Sequence, residues 1–161
     1  YDLFKVPAWV SMRWTREDHD RLQSGSFGRP FAPDEELPLY AQAGDSYDFA
    51  TSAMERGHMA RHEDNEAWGG DNSDFGCRMS NIVPQHKDMN GEAWNDLEEL
   101  HQDVVTDLSV NIDTVWVISG PILENGQPEF TFGNGVAVPM GTYKVVGWFD
   151  GAGDFQARIT S

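Results

Sequence analysis

A chain of 161 residues with 39% hydrophobic content, nine Phe, six Trp and four Tyr has enough apolar mass for one folded core and too little length for a second full domain. Eleven basic residues against 27 acidic ones leave a formal charge of −16, which repels polyanions at long range and argues against a general nucleic-acid coat protein. The single cysteine, Cys77, excludes an internal disulfide and any multi-cysteine zinc site and reads as a small core residue.

Charged residues make up 24% and aromatics are spread along the whole chain, so a globular fold is expected rather than disorder. The acidic excess reads first as a solvated face. No apolar run approaches the roughly 20 residues needed to cross a bilayer, so no membrane association is expected. The start Tyr1-Asp2-Leu3-Phe4-Lys5 lacks the regions of a signal peptide and has no initiator Met, so something upstream is expected to have been removed or left out. A secreted or periplasmic setting is the first expectation and an organelle the second.

Trp9, Ser11 and Arg13 alternate with Val10, Met12 and Trp14, which predicts an early strand with one face on a core. Thr15 is an N-cap candidate for a short helix or turn reaching Leu22. Ser24 to Pro38 is dense in Gly, Pro, Ser and Asp and predicts a long loop. Arg29 is that loop's one basic side chain: a solvated charge, or a bidentate phosphate contact.

Gly44 to Ala53 is again loop-like and leads into Met54-Glu55-Arg56-Gly57-His58, where the glycine suggests a tight backbone that brings Arg56 and His58 close together. Arg61 to Gly70 is polar and predicts surface, with His62 and His86 as surface histidines. Phe75 to Val83 reads as a strand ending at Pro84, which has no ladder donor.

From Asn90, the residues Ala93, Leu97, Leu100, Val104 and Leu108 recur at intervals of three and four, with Trp94, His101 and Val105 widening the stripe; this is the strongest helix in the sequence. On an α-helix, Asn90 and Glu98 would stand a little over two turns and roughly 80° apart, near enough to line one wall of a cleft. Singly, Asn90 also reads as an N-cap and Glu98 as an ordinary helix charge. Asp113 to Gly120 is a continuous apolar run and predicts a central strand covered on both faces. Asn125-Gly126 and Asn134-Gly135 mark turns, and Thr142 to Phe149 and Phe155 to Ile159 predict two further strands. The class is α+β, one domain over 1–161, with a mostly antiparallel sheet and few helices.

Three motifs, Arg56-Gly57-His58-Met59-Ala60, Ser80-Asn81-Ile82-Val83-Pro84-Gln85 and Asn90-Gly91-Glu92-Ala93-Trp94-Asn95-Asp96-Leu97-Glu98, together resemble the signature of the DNA/RNA non-specific endonucleases of the endonuclease G type. The likeness extends from Val6 through Val146. It implies a ββα-metal (His-Me finger) nuclease fold, with a histidine on the first strand and a helix that supplies the metal ligand. His58 then matches the general base and Asn90 the one direct protein ligand of a hydrated Mg²⁺, for which Mn²⁺ can substitute. Glu98 matches the acid that holds the metal's waters, Arg56 and Arg29 the phosphate-contacting arginines, and Asn81 a residue that orients the site. Glu55 stands where the family usually has Asp, and Arg61 where it usually has Pro. The family commonly continues past the Val145-Val146 strand, which leaves room for missing C-terminal elements, a second polypeptide that completes them, or a homodimer.

The implied chemistry suits these residue types. Imidazole, with an ordinary pKa of about 6.5, can take a proton from water near neutral pH. A hydrated hard cation on an amide oxygen stabilises charge that develops on the phosphate and the leaving 3′ oxygen. Contacts to phosphate carry little sequence information, so both DNA and RNA are expected substrates. The alternative is a catalytically weak binding or interaction module on the same fold, motivated by the charge of −16. A purely acidic structural domain would require all three motifs to be accidental.

Overall fold

Strand β1 (Val10–Thr15) follows the expected alternation: Met12 and Trp14 turn inward while Ser11 and Arg13 face out. A computed structural model of the chain describes residues 4–22, 31–43, 53–67, 75–107, 109, 111–132 and 135–161. Thr15 closes a capping box at the start of α1 (Arg16–Arg21): its hydroxyl accepts from the Asp18 N–H at 3.0 Å and the Asp18 carboxylate accepts from the Thr15 N–H at 3.0 Å.

The site rests on a second, smaller unit. Strand β2 (Met54–His58) pairs antiparallel with β3 (Ile82–His86), in a register that sets His58 opposite Ile82, Gly57 opposite Val83 and Arg56 opposite Pro84. Between them runs α2 (His62–Ala67). After β3, Met89–Ala93 forms a π-helical turn that runs directly into α3 (Trp94–Thr106).

The rest of the chain builds β4 (Thr114–Ile122), the short pair β5 (Phe130–Thr131) and β6 (Ala137–Val138), then β7 (Gly141–Phe149) and β8 (Phe155–Thr160). Among the described residues the largest sheet is antiparallel, in the order β1-β4-β7-β8. Helix α3 lies across its inner face, where Val104 and Val105 pack with Met12, Trp14, Val115, Val117 and Val146. A second apolar cluster joins Trp94 of α3 to Met59, Met79, Ile82 and Val83 around the β2-β3 unit. Burying that set of side chains is the main stabilising term holding the unit to the helix.

Several expectations are corrected. Strand β4 is covered on one face only: Trp116 and Ile118 are each 41% exposed while Val115 and Val117 are buried. A continuous apolar run is compatible with two covered faces, but here it belongs to an alternating strand whose outer face is also apolar. The segment from Phe75 to Asn81 forms tight turns around an isolated bridge at Arg78, so the strand starts at Ile82 and passes through Pro84. Proline is tolerated there because β3 pairs on one side only.

The polar stretch from Arg61 is not all surface, since Asp64 and Asn65 are buried against α3 and the turn near Gly76. His62 is half-buried beside His58, whereas His86 is the exposed residue it was expected to be. Cys77 is buried, the small core residue it was expected to be. No described helix is long and apolar enough to cross a membrane. Residues 44–52 of the expected loop from Gly44 to Ala53, residues 24–30 of the expected loop from Ser24 to Pro38, and Leu108 and Asn134 lie outside the described residues.

Candidate active site

Arg56 and His58 are two apart on β2, so their side chains share one face of the strand. Phe31 lies against both: its ring centre is 4.8 Å from the Arg56 guanidinium carbon and 5.5 Å from the His58 ring centre. Gly57, on the opposite face, leaves room for another side chain. A Cβ there would fall 1.8 Å from Gln85 Oε1, so no other residue fits while Gln85 crosses β2 at that point. Gln85 in turn donates to Thr142 Oγ1 at 3.0 Å, which ties the β2-β3 unit to β7.

His58 is largely buried, and its Nε2 has no hydrogen-bond partner among the described residues. Burial, with a smaller push from neighbouring His62, brings its pKa down to about 4 against an opposing pull from Glu63. The His62 ring sits 5.6 Å away at a steep angle. Near neutral pH, His58 is therefore an uncharged imidazole, the form in which it can accept a proton.

The helix wall meets the strand wall at two points. The Asn90 amide nitrogen donates to Glu55 Oε2 at 3.0 Å, which directs the amide oxygen the other way; this orientation follows from the carboxylate's being an acceptor only. The Trp94 indole N–H donates to the His58 carbonyl oxygen at 2.9 Å. Asn90 makes no capping bond, and it sits in the π-helical turn rather than at the start of an ordinary helix. The expected angle of roughly 80° to Glu98 therefore does not apply, because a π turn places its residues at a different pitch from an α turn.

Glu98 lies one α-helical turn beyond Trp94, with Oε1 buried and without a hydrogen-bond partner among the described residues. Burial pushes its carboxyl pKa up, helped by Asp64 and Glu63, while Lys144 and Arg61 pull it down. Asn81 is buried and bonded only to backbone: its oxygen accepts from the Ala60 N–H at 2.7 Å, and its nitrogen donates to the carbonyls of Ala60 and Gly76 at 2.8 and 3.1 Å. It pins the turn that follows His58. Arg29 lies outside the described residues.

Four residues with roles here had no assigned function in the sequence reading. Glu55 holds Asn90, Trp94 holds the His58 carbonyl, Phe31 packs both cleft side chains, and Lys144 approaches the Trp94 ring at 4.8 Å. Lys144 left a readable signal, since it stands between Thr142 and Val146 at an inward position of a period-two pattern.

The donor set suits a hydrated hard cation: an amide oxygen at Asn90 turned away from its one described partner, and a carboxylate with an orphaned buried oxygen at Glu98. Among the described residues no group of three or more His, Cys, Asp or Glu is placed to hold a metal.

Two antiparallel strands, the first ending in a histidine, followed by a helix whose opening π turn carries an asparagine, make up the ββα-metal nuclease fold. The chain belongs to the DNA/RNA non-specific endonuclease family, whose sequence profile it matches over residues 2–158. It is 33% identical over 153 residues to the mitochondrial nuclease EXOG of Xenopus laevis, covering 87% of this chain and 41% of that protein. With the human mitochondrial nuclease EXOG the identity is 31% over 160 residues, 91% of this chain and 40% of the relative. Human mitochondrial endonuclease G is 29% identical over 140 residues, 81% of this chain and 43% of that protein. The chain thus spans about two fifths of the length of these relatives. A chain in the crystal structure of the EndoG/EndoGI complex, which concerns the mechanism of EndoG inhibition, superposes with a TM-score of 0.76 at 24% identity, over 96% of this chain and 65% of that one.

Proposed function

We propose that this protein is a metal-dependent endonuclease that hydrolyses phosphodiester bonds of DNA and RNA with little sequence preference. The observation that carries the reading is the joint placement of a neutral, half-buried His58 and an Asn90 whose amide oxygen is left available, on two walls tied together by Trp94. His58 takes the proton from the attacking water. Arg56, on the same face of β2, offers parallel donors to the phosphate, and Arg29 has the side chain for a second such contact.

Asn90 would hold Mg²⁺, or Mn²⁺ in its place, and Glu98 would hold the metal's waters. When bound, the ion supplies positive charge for the phosphate and the leaving 3′ oxygen. The net charge of −16 lowers long-range attraction to a polyanion, but a cation and an arginine at the scissile phosphate act within the screening distance of about 8–10 Å. The mitochondrial relatives add an organelle to the secreted or periplasmic settings in which such an enzyme would work.

Incubation with supercoiled plasmid and with single-stranded RNA, in Mg²⁺ and in excess chelator, tests the reading. Cleavage of both substrates in Mg²⁺ and of neither in chelator is expected. A folded protein that binds DNA stoichiometrically but turns over none of it with any divalent ion would replace this reading with that of a binding module.

A further inference from the structure

Beneath the helix wall lies a set of buried polar groups that the proposed chemistry does not use. Thr142, Lys144 and Val146 share the inward side of β7, and all three are buried. Lys144 is only 1% exposed, and its ammonium has no hydrogen-bond partner among the described residues. It lies 4.8 Å from the centre of the Trp94 ring. The carboxylates of Glu98 and Asp64 attract it, and Glu98 Oε1 is also buried without a hydrogen-bond partner.

Asp64 is itself fully buried. It accepts from Gln102 at 2.6 Å and stands 2.7 Å from His101 Nε2, an approach that is off the line of a hydrogen bond. Along α3 these groups separate the two apolar clusters, with Trp94 on one side and Val104 and Val105 on the other.

An ammonium buried without a hydrogen bond is an expensive choice for a core, and a Met side chain of similar reach would fill the same space. Packing alone therefore does not account for Lys144. Its position does: the charge lies on the face of Trp94, the side chain whose N–H holds the His58 carbonyl, and it attracts the Glu98 carboxylate. A neutral residue would leave Glu98 with Asp64 and Glu63 as its acidic neighbours and, among the described residues, with Arg61 as the remaining cation, which is itself shared with Glu63 and Glu99.

We propose that Lys144 is a positioning residue, a buried cation that orients the Glu98 carboxylate and, through Trp94, sets the helix wall against the His58 strand. This inference rests on the nuclease reading. It is told apart from a packing role by restoring the charge: an ammonium returned at this position should return the rate, which a packing role does not require.

The test is Lys144→Met, measured for its urea unfolding midpoint, for Mg²⁺ binding by calorimetry, and for kcat and KM on a labelled oligonucleotide. A companion protein carries Lys144→Cys in a Cys77→Ala background, alkylated with bromoethylamine in urea and refolded, which restores an ammonium at nearly the original reach. The unfolding midpoint of Lys144→Met should fall while the variant stays folded, because the carboxylates of Glu98 and Asp64 lose a buried cation. Its kcat and Mg²⁺ affinity should fall by about 10- to 100-fold, as for other residues that orient metal-site groups. KM should stay within about twofold. The aminoethylated protein should recover most of the lost rate.

Unchanged kcat and Mg²⁺ affinity in Lys144→Met overturn the proposal, as do a failure to fold or a lost rate that aminoethylation does not restore. A parent protein that neither cuts nor binds Mg²⁺ overturns the nuclease reading and this proposal with it. A parent that cuts while Lys144→Met cuts equally well overturns the proposal alone.

Discussion

The two faces of the four-stranded sheet are built in opposite senses. The inner face, under α3, buries Thr142 and Lys144 among Met12, Trp14, Val115, Val117 and Val146. The outer face presents Trp116, Ile118, Phe149, Phe155 and Ile159, from 41% to 75% exposed. Trp116 and Phe149 meet edge to face at 5.8 Å, and Phe149 and Phe155 at 5.4 Å.

Charge is therefore inside and aromatic surface outside, the reverse of what burial energetics alone would select. The inner arrangement makes sense only in relation to the site: the buried charges gather where α3 crosses the sheet, next to Trp94 and Glu98. On this account the inner face gives up stability for an ordered cleft, and the two faces should respond differently to mutation.

The largest effect expected is at the cleft. His58→Ala should lower the cleavage rate by about 100- to 10,000-fold, the usual contribution of a positioned general base, with no loss of fold. Quenched-flow or gel-based rates alongside circular dichroism would check this, and a variant within tenfold of the parent would remove His58 from the mechanism. Next is Glu55→Ala, which frees the Asn90 amide. The Mg²⁺ concentration for half-maximal rate should rise by about 10- to 100-fold. An unchanged metal titration would mean that Glu55 does not orient the ligand.

Adjacent residues of β4 compare the two faces directly. Val117 is buried and Ile118 is 41% exposed. Val117→Ala should cost about 1.5–3 kcal/mol in urea unfolding, whereas Ile118→Ala should stay within roughly 0.5 kcal/mol. Equal losses would show that the outer face is covered in solution.

A smaller effect follows from pH. The folded pKa of His58 is lowered to about 4 from an ordinary value of 6.5, so between these limits the unfolded chain binds the extra proton. This contribution is fully present above pH 6.5 and is lost as pH falls toward 4. The parent should lose more stability than His58→Ala between pH 7 and pH 5, and identical pH dependence in the two would refute the burial of a neutral imidazole.

Much of this was legible in the residues. The alternation from Trp9 to Trp14, the capping threonine at Thr15 and the apolar stripe from Trp94 to Val105 are local patterns, and the folded chain carries each of them. The motif around His58, Asn81 and Asn90 pointed to the nuclease family, and the whole-chain match agrees.

What the sequence did not disclose depends on contacts distant along the chain. Whether Trp116 or Val117 is the outward residue depends on where α3 lands on the sheet. The π-helical turn at Met89–Ala93 leaves no periodic trace, yet it changes how Asn90 and Glu98 relate. Glu55 gains its role only because Asn90, 35 residues later, comes within 3.0 Å. Lys144 was readable as an inward position, but its neighbours Trp94, Glu98 and Asp64 come from two other elements.

The central claim is that the strand wall supplies the base and the helix wall the metal site, and a Mg²⁺ titration of the cleavage rate in the parent, His58→Ala and Asn90→Ala tests it most directly. The account predicts that His58→Ala lowers the maximal rate at an unchanged half-activating Mg²⁺ concentration, while Asn90→Ala shifts that concentration upward. A parent protein with no Mg²⁺-dependent cleavage, or two variants with the same titration curve as the parent, would contradict it.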